Sequence, residues 1–211
     1  MGIEPLWYRP GGFRRVVLVS GHVTDRDGRA RERFPESAVG DVRRRIADEL
    51  DEIGVGPDDL LVCGGARGAD LLAAEEALRR GCTVWVLLAL PADDFVRTSV
   101  AADGTDWEAR FWRVLQRAPV WFLDDEPHDA VDDDGVFAAA NDWMLRVAHA
   151  QAHGEELHVI VVWDGERADG PGGTAEMVDA ARATGAEVTV VPPAPHEQGD
   201  EPESSSQRQP T

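Results

Sequence analysis

The chain predicts an α/β protein, a Rossmann-like, mostly parallel sheet with helices on both faces. Three observations predict it. Short apolar runs rich in β-branched residues alternate with longer segments of helical spacing. The runs are near-continuously apolar, as strands buried on both faces are. Two of them lead straight into glycine-rich turns that open helices, at residues 64–68 and 170–173.

The elements follow in order. Residues 1–13, rich in Pro and Gly, read as a partly ordered leader. Arg14 to Ser20 is the first strand and stops at Gly21. A polar loop from Thr24 to Pro35 precedes a helix over Ser37–Ile53, whose Val42, Ile46, Leu50 and Ile53 share one face. Asp59–Cys63 is the second strand and Ala69–Arg80 its helix, followed by Gly81 as a cap. Thr83–Leu90 is the third strand. Helical stretches are expected from Asp94 into Thr105 and over Trp107–Arg117. Val120–Leu123, a helix near Phe137–His153, Leu157–Trp163, a helix over Ala175–Thr184 and Glu187–Val191 complete a single domain, residues 14–191. Residues 192–211, dominated by Pro, Glu, Ser and Gln, read as a disordered acidic tail.

Composition narrows the function. The formal charge is −19, from 40 acids against 21 bases. Such a field repels nucleic acid and anionic membranes, which argues against both as partners. All the bases are Arg and no Lys occurs, so a Walker-type lysine and Schiff-base chemistry are excluded. Any phosphate contact would be planar and bidentate. No signal peptide or long apolar run is visible, so the chain reads as cytoplasmic. Cys63 and Cys82 read as reduced, partly buried thiols. No metal site and no cofactor is expected: the acidic runs 124–126 and 132–134 lack EF-hand spacing, and His149 and His153 lack the glutamate of a zinc helix.

Ligands of parallel sheets sit beyond the carboxyl ends of the strands, and three such ends carry the functional reading. At Gly64-Gly65-Ala66-Arg67-Gly68-Ala69-Asp70 the glycines let backbone approach a ligand, and the helix amides can hold an anion. Arg67 can fork onto a phosphate; Asp70 can cap the helix or bond a ribose hydroxyl. At Asp164-Gly165 and Gly172-Gly173-Thr174, consecutive amides form a candidate anion nest, and Thr174 can cap its helix with its hydroxyl in the pocket. At Ser20-Gly21-His22 the histidine can contact a phosphate or a base, or be an exposed loop residue.

These turns resemble those of the SLOG superfamily, named for the Smf/DprA DNA-processing proteins and the Lonely Guy (LOG) enzymes. GGARGAD resembles its first nucleotide-binding turn and PGGT its second, over about residues 14–191. The resemblance implies a nucleotide-derived small-molecule ligand and a homodimer. It leaves three functions open: a sensor or carrier, a LOG-like phosphoribohydrolase that splits a nucleotide at its N-glycosidic bond, or a DprA-like DNA-processing protein. Glu176 is the candidate catalytic acid. It stands one residue closer to Thr174 than in LOG proteins, whose spacing falls here on Met177. Arg146, in Met144-Leu145-Arg146, is the nearest match to the LOG arginine helix, and Asn141 can reach the pocket from the same helix. Arg97 and Arg33 are further candidate phosphate ligands, each also readable as a solvated side chain. Of the seven tryptophans, Trp107, Trp112 and Trp143 offer an aromatic face for a dimer contact.

Overall fold

The computed structural model describes residues 12–26, 28–29, 31–125, 135–153, 157–167 and 173–193. Six strands form one sheet: β1 (Val16–Gly21), β2 (Leu60–Cys63), β3 (Thr83–Leu88), β4 (Val120–Phe122), β5 (Leu157–Val162) and β6 (Glu187–Val191). Every neighbouring pair is parallel, in the order β4-β3-β2-β1-β5-β6. The helices are α1 (Val39–Ile53), α2 (Ala69–Arg79), α3 (Ala92–Phe95), α4 (Trp107–Leu115), α5 (Val136–Ala152) and α6 (Thr174–Ala183). α2 packs on both α1 and α4, while α5 packs on α6, which gives two helical layers around the sheet. The architecture is Rossmann-like, as both the apolar pattern and the SLOG resemblance implied.

The apolar runs become strands because each is covered on both sides. Val17, Leu18 and Val19 of β1 are fully buried, and so are Leu60–Cys63 of β2. α1 buries Val42, Ile46 and Leu50, one face of its 3.6-residue period, and stops where Gly54 turns left-handed at φ 76°.

One element departs from expectation. The helix expected from Asp94 into Thr105 is instead α3 running into a π-helical turn, Val96–Val100, with extended backbone from Ala101. Thr98 supplies the local reason: its hydroxyl donates to the Asp94 and Phe95 carbonyls and competes with the regular ladder.

The strand order reverses beside β1. The chain moves outward through β2, β3 and β4, then returns to place β5 on the other side of β1. The splayed loops at such a reversal leave a crevice at the carboxyl ends.

The aromatic dimer face is not present. Trp107 and Trp143 are fully buried on different helices, and only Trp112 and Phe137 are exposed large hydrophobics among the described residues. Burial raises the pKa of Cys63 well above the usual range and that of Cys82 to about 12, which makes both thiols unreactive. Among the described residues no helix is long and apolar enough to cross a membrane. The leader up to residue 11, most of the two acidic runs and the tail beyond residue 193 lie outside the described residues. Pro192 still belongs to the domain, since its carbonyl accepts from Arg45 at 2.9 Å.

Candidate functional site

A cleft of about 170 Å³ opens at the carboxyl edge of the sheet. Ser20 and Gly21 reach it from β1, Gly64, Ala66 and Asp70 from the turn after β2, Asn141 and Met144 from α5, and Thr174 from the start of α6. Leu87, Ala89, Phe95, Phe137 and Ala140 supply an apolar wall. Residues of all three candidate strand ends therefore line one cavity. Its size suits a single ring, being smaller than the roughly 300 Å³ at which drug-sized pockets begin.

The turn after β2 is built differently from the expected anion-binding turn. Asp70, in the first turn of α2, folds back so that its carboxylate accepts the Ala66 amide at 3.1 Å and is also bonded by the amides of Gly64 and Gly65. The Arg67 amide donates to the Ser99 carbonyl and the Ala69 amide to the His22 carbonyl. The protein's own acceptors thus occupy amides expected to face a ligand. The glycines serve internal packing as well. A Cβ on Gly65 would meet the Val86 side chain at 2.9 Å, and one on Gly68 the His22 carbonyl oxygen at 2.8 Å. A Cβ on Gly21 would overlap the Val162 carbonyl oxygen and lie 2.6 Å from the Val162 amide nitrogen, so this glycine lets β1 and β5 close together. Gly64 does border the cleft, between Asp70 and Met144.

Burial foremost raises the Asp70 pKa, to about 7, against the lowering pull of the three amides. A carboxyl that titrates near neutrality can donate or accept a hydrogen bond at the cleft wall.

On the β1/β5 side, four predicted residues join one another. Arg33 is bidentate on Asp164, at 2.7 and 2.9 Å. Asp164 lies 3.0 Å from His22 Nε2, and His22 Nδ1 lies 3.1 Å from the Thr174 hydroxyl. Burial opposes ionisation of Asp164, but the hydrogen bonds from Arg33 and His22 outweigh it and hold the carboxyl well below the usual range. Burial foremost lowers the His22 pKa, against Asp164, so the ring is neutral at neutral pH. A carboxylate only accepts, so Nε2 carries the proton and Nδ1 accepts from Thr174. This chain fastens α6 and the loop after β5 to the end of β1. Asp164→Ala is expected to lose about 2 kcal/mol of stability by leaving Arg33 and His22 unpaired, measured by urea unfolding. A loss within error of zero would show the chain to be slack.

The remaining candidates divide. Asn141 lines the cleft. Glu176 is exposed and lines a neighbouring groove with Asp142 and Ala180, so it is not among the residues of the cleft wall. Arg97 pairs with Asp94 and Arg146 with Asp142, both exposed pairs, and none of the four lines the cleft. Gly173 caps α6 with extended backbone, and Gly165, at φ 83°, faces open space. Gly172 lies outside the described residues. His149 bonds the Thr184 hydroxyl at 2.7 Å, which ties α5 to α6. Among the described residues no cluster of three or more metal-ligating side chains occurs.

Sequence reasoning missed a second hollow. Arg26, Arg29 and Arg67 line it with Thr24 and Thr98, and Val23 borders both it and the cleft. The available signal was four arginines, at 26, 29, 31 and 33, within one loop.

No family model matches the chain, and no curated protein matches it. Solved structures show distant likeness. DNA processing protein A (DprA) from Streptococcus pneumoniae is 15% identical with a TM-score of 0.41, over 84% of this chain and 58% of that one. The chain thus spans little more than half of that structure. The protein TM1055 is 19% identical with a TM-score of 0.41, over 82% of this chain and 72% of that one. The Moco carrier protein from Chlamydomonas reinhardtii is 14% identical with a TM-score of 0.35, over 84% and 88%. Likenesses this distant assign no function; the six-stranded parallel sheet of the chain itself establishes its Rossmann-like class.

Proposed function

We propose that the chain is a binding protein, a sensor or carrier, whose cleft holds the ring portion of a nucleotide-derived small molecule. One observation carries the reading. Ser20, Gly64, Asp70, Asn141 and Thr174, from four separate segments, converge on one partly apolar cleft where the strand order reverses. An apolar wall with a few placed polar groups suits a heterocycle or sugar edge. Asp70, Asn141 and Thr174 offer hydroxyl and amide partners, while Leu87, Phe95 and Met144 cover the ring faces.

The carrier reading is preferred to hydrolysis because the candidate acid, Glu176, lines the adjoining groove. Titration calorimetry against a panel of nucleosides and nucleoside mono- and diphosphates tests it. At least one is expected to bind at about micromolar Kd, and Asn141→Leu is expected to weaken it about tenfold. Incubation is expected to release no free base. Base release that Glu176→Ala abolishes would replace the carrier by a phosphoribohydrolase. A panel that shows no binding would remove the nucleotide assignment.

A further inference from the structure

We propose that the hollow lined by Arg26, Arg29 and Arg67 binds a phosphate group, the anionic end of the molecule whose ring occupies the adjoining cleft. The inference deepens the reading above and rests on it for the ring, though not for the phosphate.

Arg67 is only 3% exposed, yet its guanidinium makes one hydrogen bond among the described residues, from Nε to the Thr24 carbonyl at 3.1 Å. Its Nη1 is buried without a partner, and so is the nearby Thr24 hydroxyl. Burial foremost lowers the Arg67 pKa, and repulsion by Arg26 adds to it. A buried guanidinium that is neither paired nor fully hydrogen-bonded is costly, and most such groups have a counter-ion.

The neighbours do not supply enough negative charge. Arg26 donates to the Thr98 carbonyl at 3.1 Å, a neutral acceptor. Arg29 lies 3.2 Å from Asp25, whose other oxygen already accepts the amides of Arg33 and Phe34. Glu36 and Asp25 act on Arg67 only through space, and Glu36 also accepts from the Trp107 indole. Among the described residues no carboxylate lines the hollow. Three arginines therefore line an open space of about 530 Å³, in a chain of net charge −19.

In the turn after β2 the amides of Gly64, Gly65, Ala66, Arg67 and Ala69 are taken, and Asp70 would repel a phosphate there once ionised. The hollow instead offers cations from two segments, the loop after β1 and the turn before α2, with Thr98 on a third side. A phosphate presents several oxygens and more than one charge, which suits three forks better than one carboxylate would. Val23 borders both spaces, so one molecule can span them.

The test uses the full chain with inorganic pyrophosphate, inorganic phosphate and succinate, by calorimetry at low salt. Pyrophosphate is expected to bind saturably and succinate not. The double variant Arg26→Gln/Arg29→Gln, whose side chains reach the hollow from an exposed loop, is expected to weaken pyrophosphate at least about tenfold with its melt unchanged. Arg97→Gln, outside the hollow, is expected to leave it unaltered. Absence of saturable pyrophosphate binding, equal binding of succinate, or an unaffected double variant each overturns the inference. Nucleoside binding without Arg-dependent pyrophosphate binding overturns it while the cleft reading stands. Arg-dependent pyrophosphate binding with no nucleoside bound supports it while the cleft reading fails.

Discussion

Gly68→Val is expected to melt about 10 °C below the parent, or to be recovered insoluble, whatever happens to ligand binding. Gly68 stands at φ 88°, ψ −123°, backbone that only glycine adopts freely. Its missing Cβ would lie 2.8 Å from the His22 carbonyl oxygen, 3.0 Å from the Thr24 amide nitrogen and 3.1 Å from the Phe34 ring. Two of these neighbours are backbone and the third is fully buried, so none can step aside. Backbone strain of about 1–3 kcal/mol adds to overpacking of about 1–3 kcal/mol. The sequence pattern suggests the opposite, lost binding with an intact fold, because a glycine-rich turn reads as a place for a ligand to approach. Here the approaching group is the protein's own loop after β1. Circular dichroism melts decide between them, and a Gly68→Val protein with the parental melting temperature would show that the turn has room after all.

Asp70→Asn is expected to change the pH dependence of stability. The folded-state pKa of Asp70 is about 7, raised from 3.8 chiefly by burial. A raised carboxyl pKa means that the native state holds the proton more tightly than the unfolded chain. The protonated group therefore carries no penalty below about pH 4, and stability falls as pH rises toward 7 and levels off above it. A difference of about three pH units corresponds to about 4 kcal/mol. His22 works the other way, because its lowered pKa makes the native state resist protonation as pH falls below 6.5. That contribution is common to both proteins and cancels in their difference. From about pH 5 to about pH 8 the gap between Asn variant and parent is expected to shift toward the variant by about 2–3 kcal/mol, the rest of the effect falling below pH 5, read from urea unfolding at each pH. Parallel curves would mean that Asp70 stays ionised throughout and that the three turn amides outweigh its burial.

The strands and helices were legible because their signals are local. Val16–Ser20 and Leu157–Val162 are apolar at nearly every position, and a chain that buries both faces of a strand must write it so. The spacing of Val42, Ile46 and Leu50 likewise states a helix face without reference to anything else. The π-helical turn at Val96–Val100 was not legible, since it depends on which carbonyls a threonine hydroxyl reaches.

The sequence by itself determined the class of fold and pointed to seven of the residues that border the cleft, Ser20, Gly21, Gly64, Ala66, Asp70, Asn141 and Thr174. Only the tertiary structure decided what those residues face. Asp70 turned inward onto the amides meant for a ligand, Arg33 closed on Asp164, and Arg67 met Arg26 and Arg29 around an open hollow. The physical reason is one of range. Propensity and periodicity act over a few residues, whereas the partner of a charge or the neighbour of a glycine is set by strand order. In this sheet that order brings residue 22 beside residue 164, and residue 67 beside residue 24.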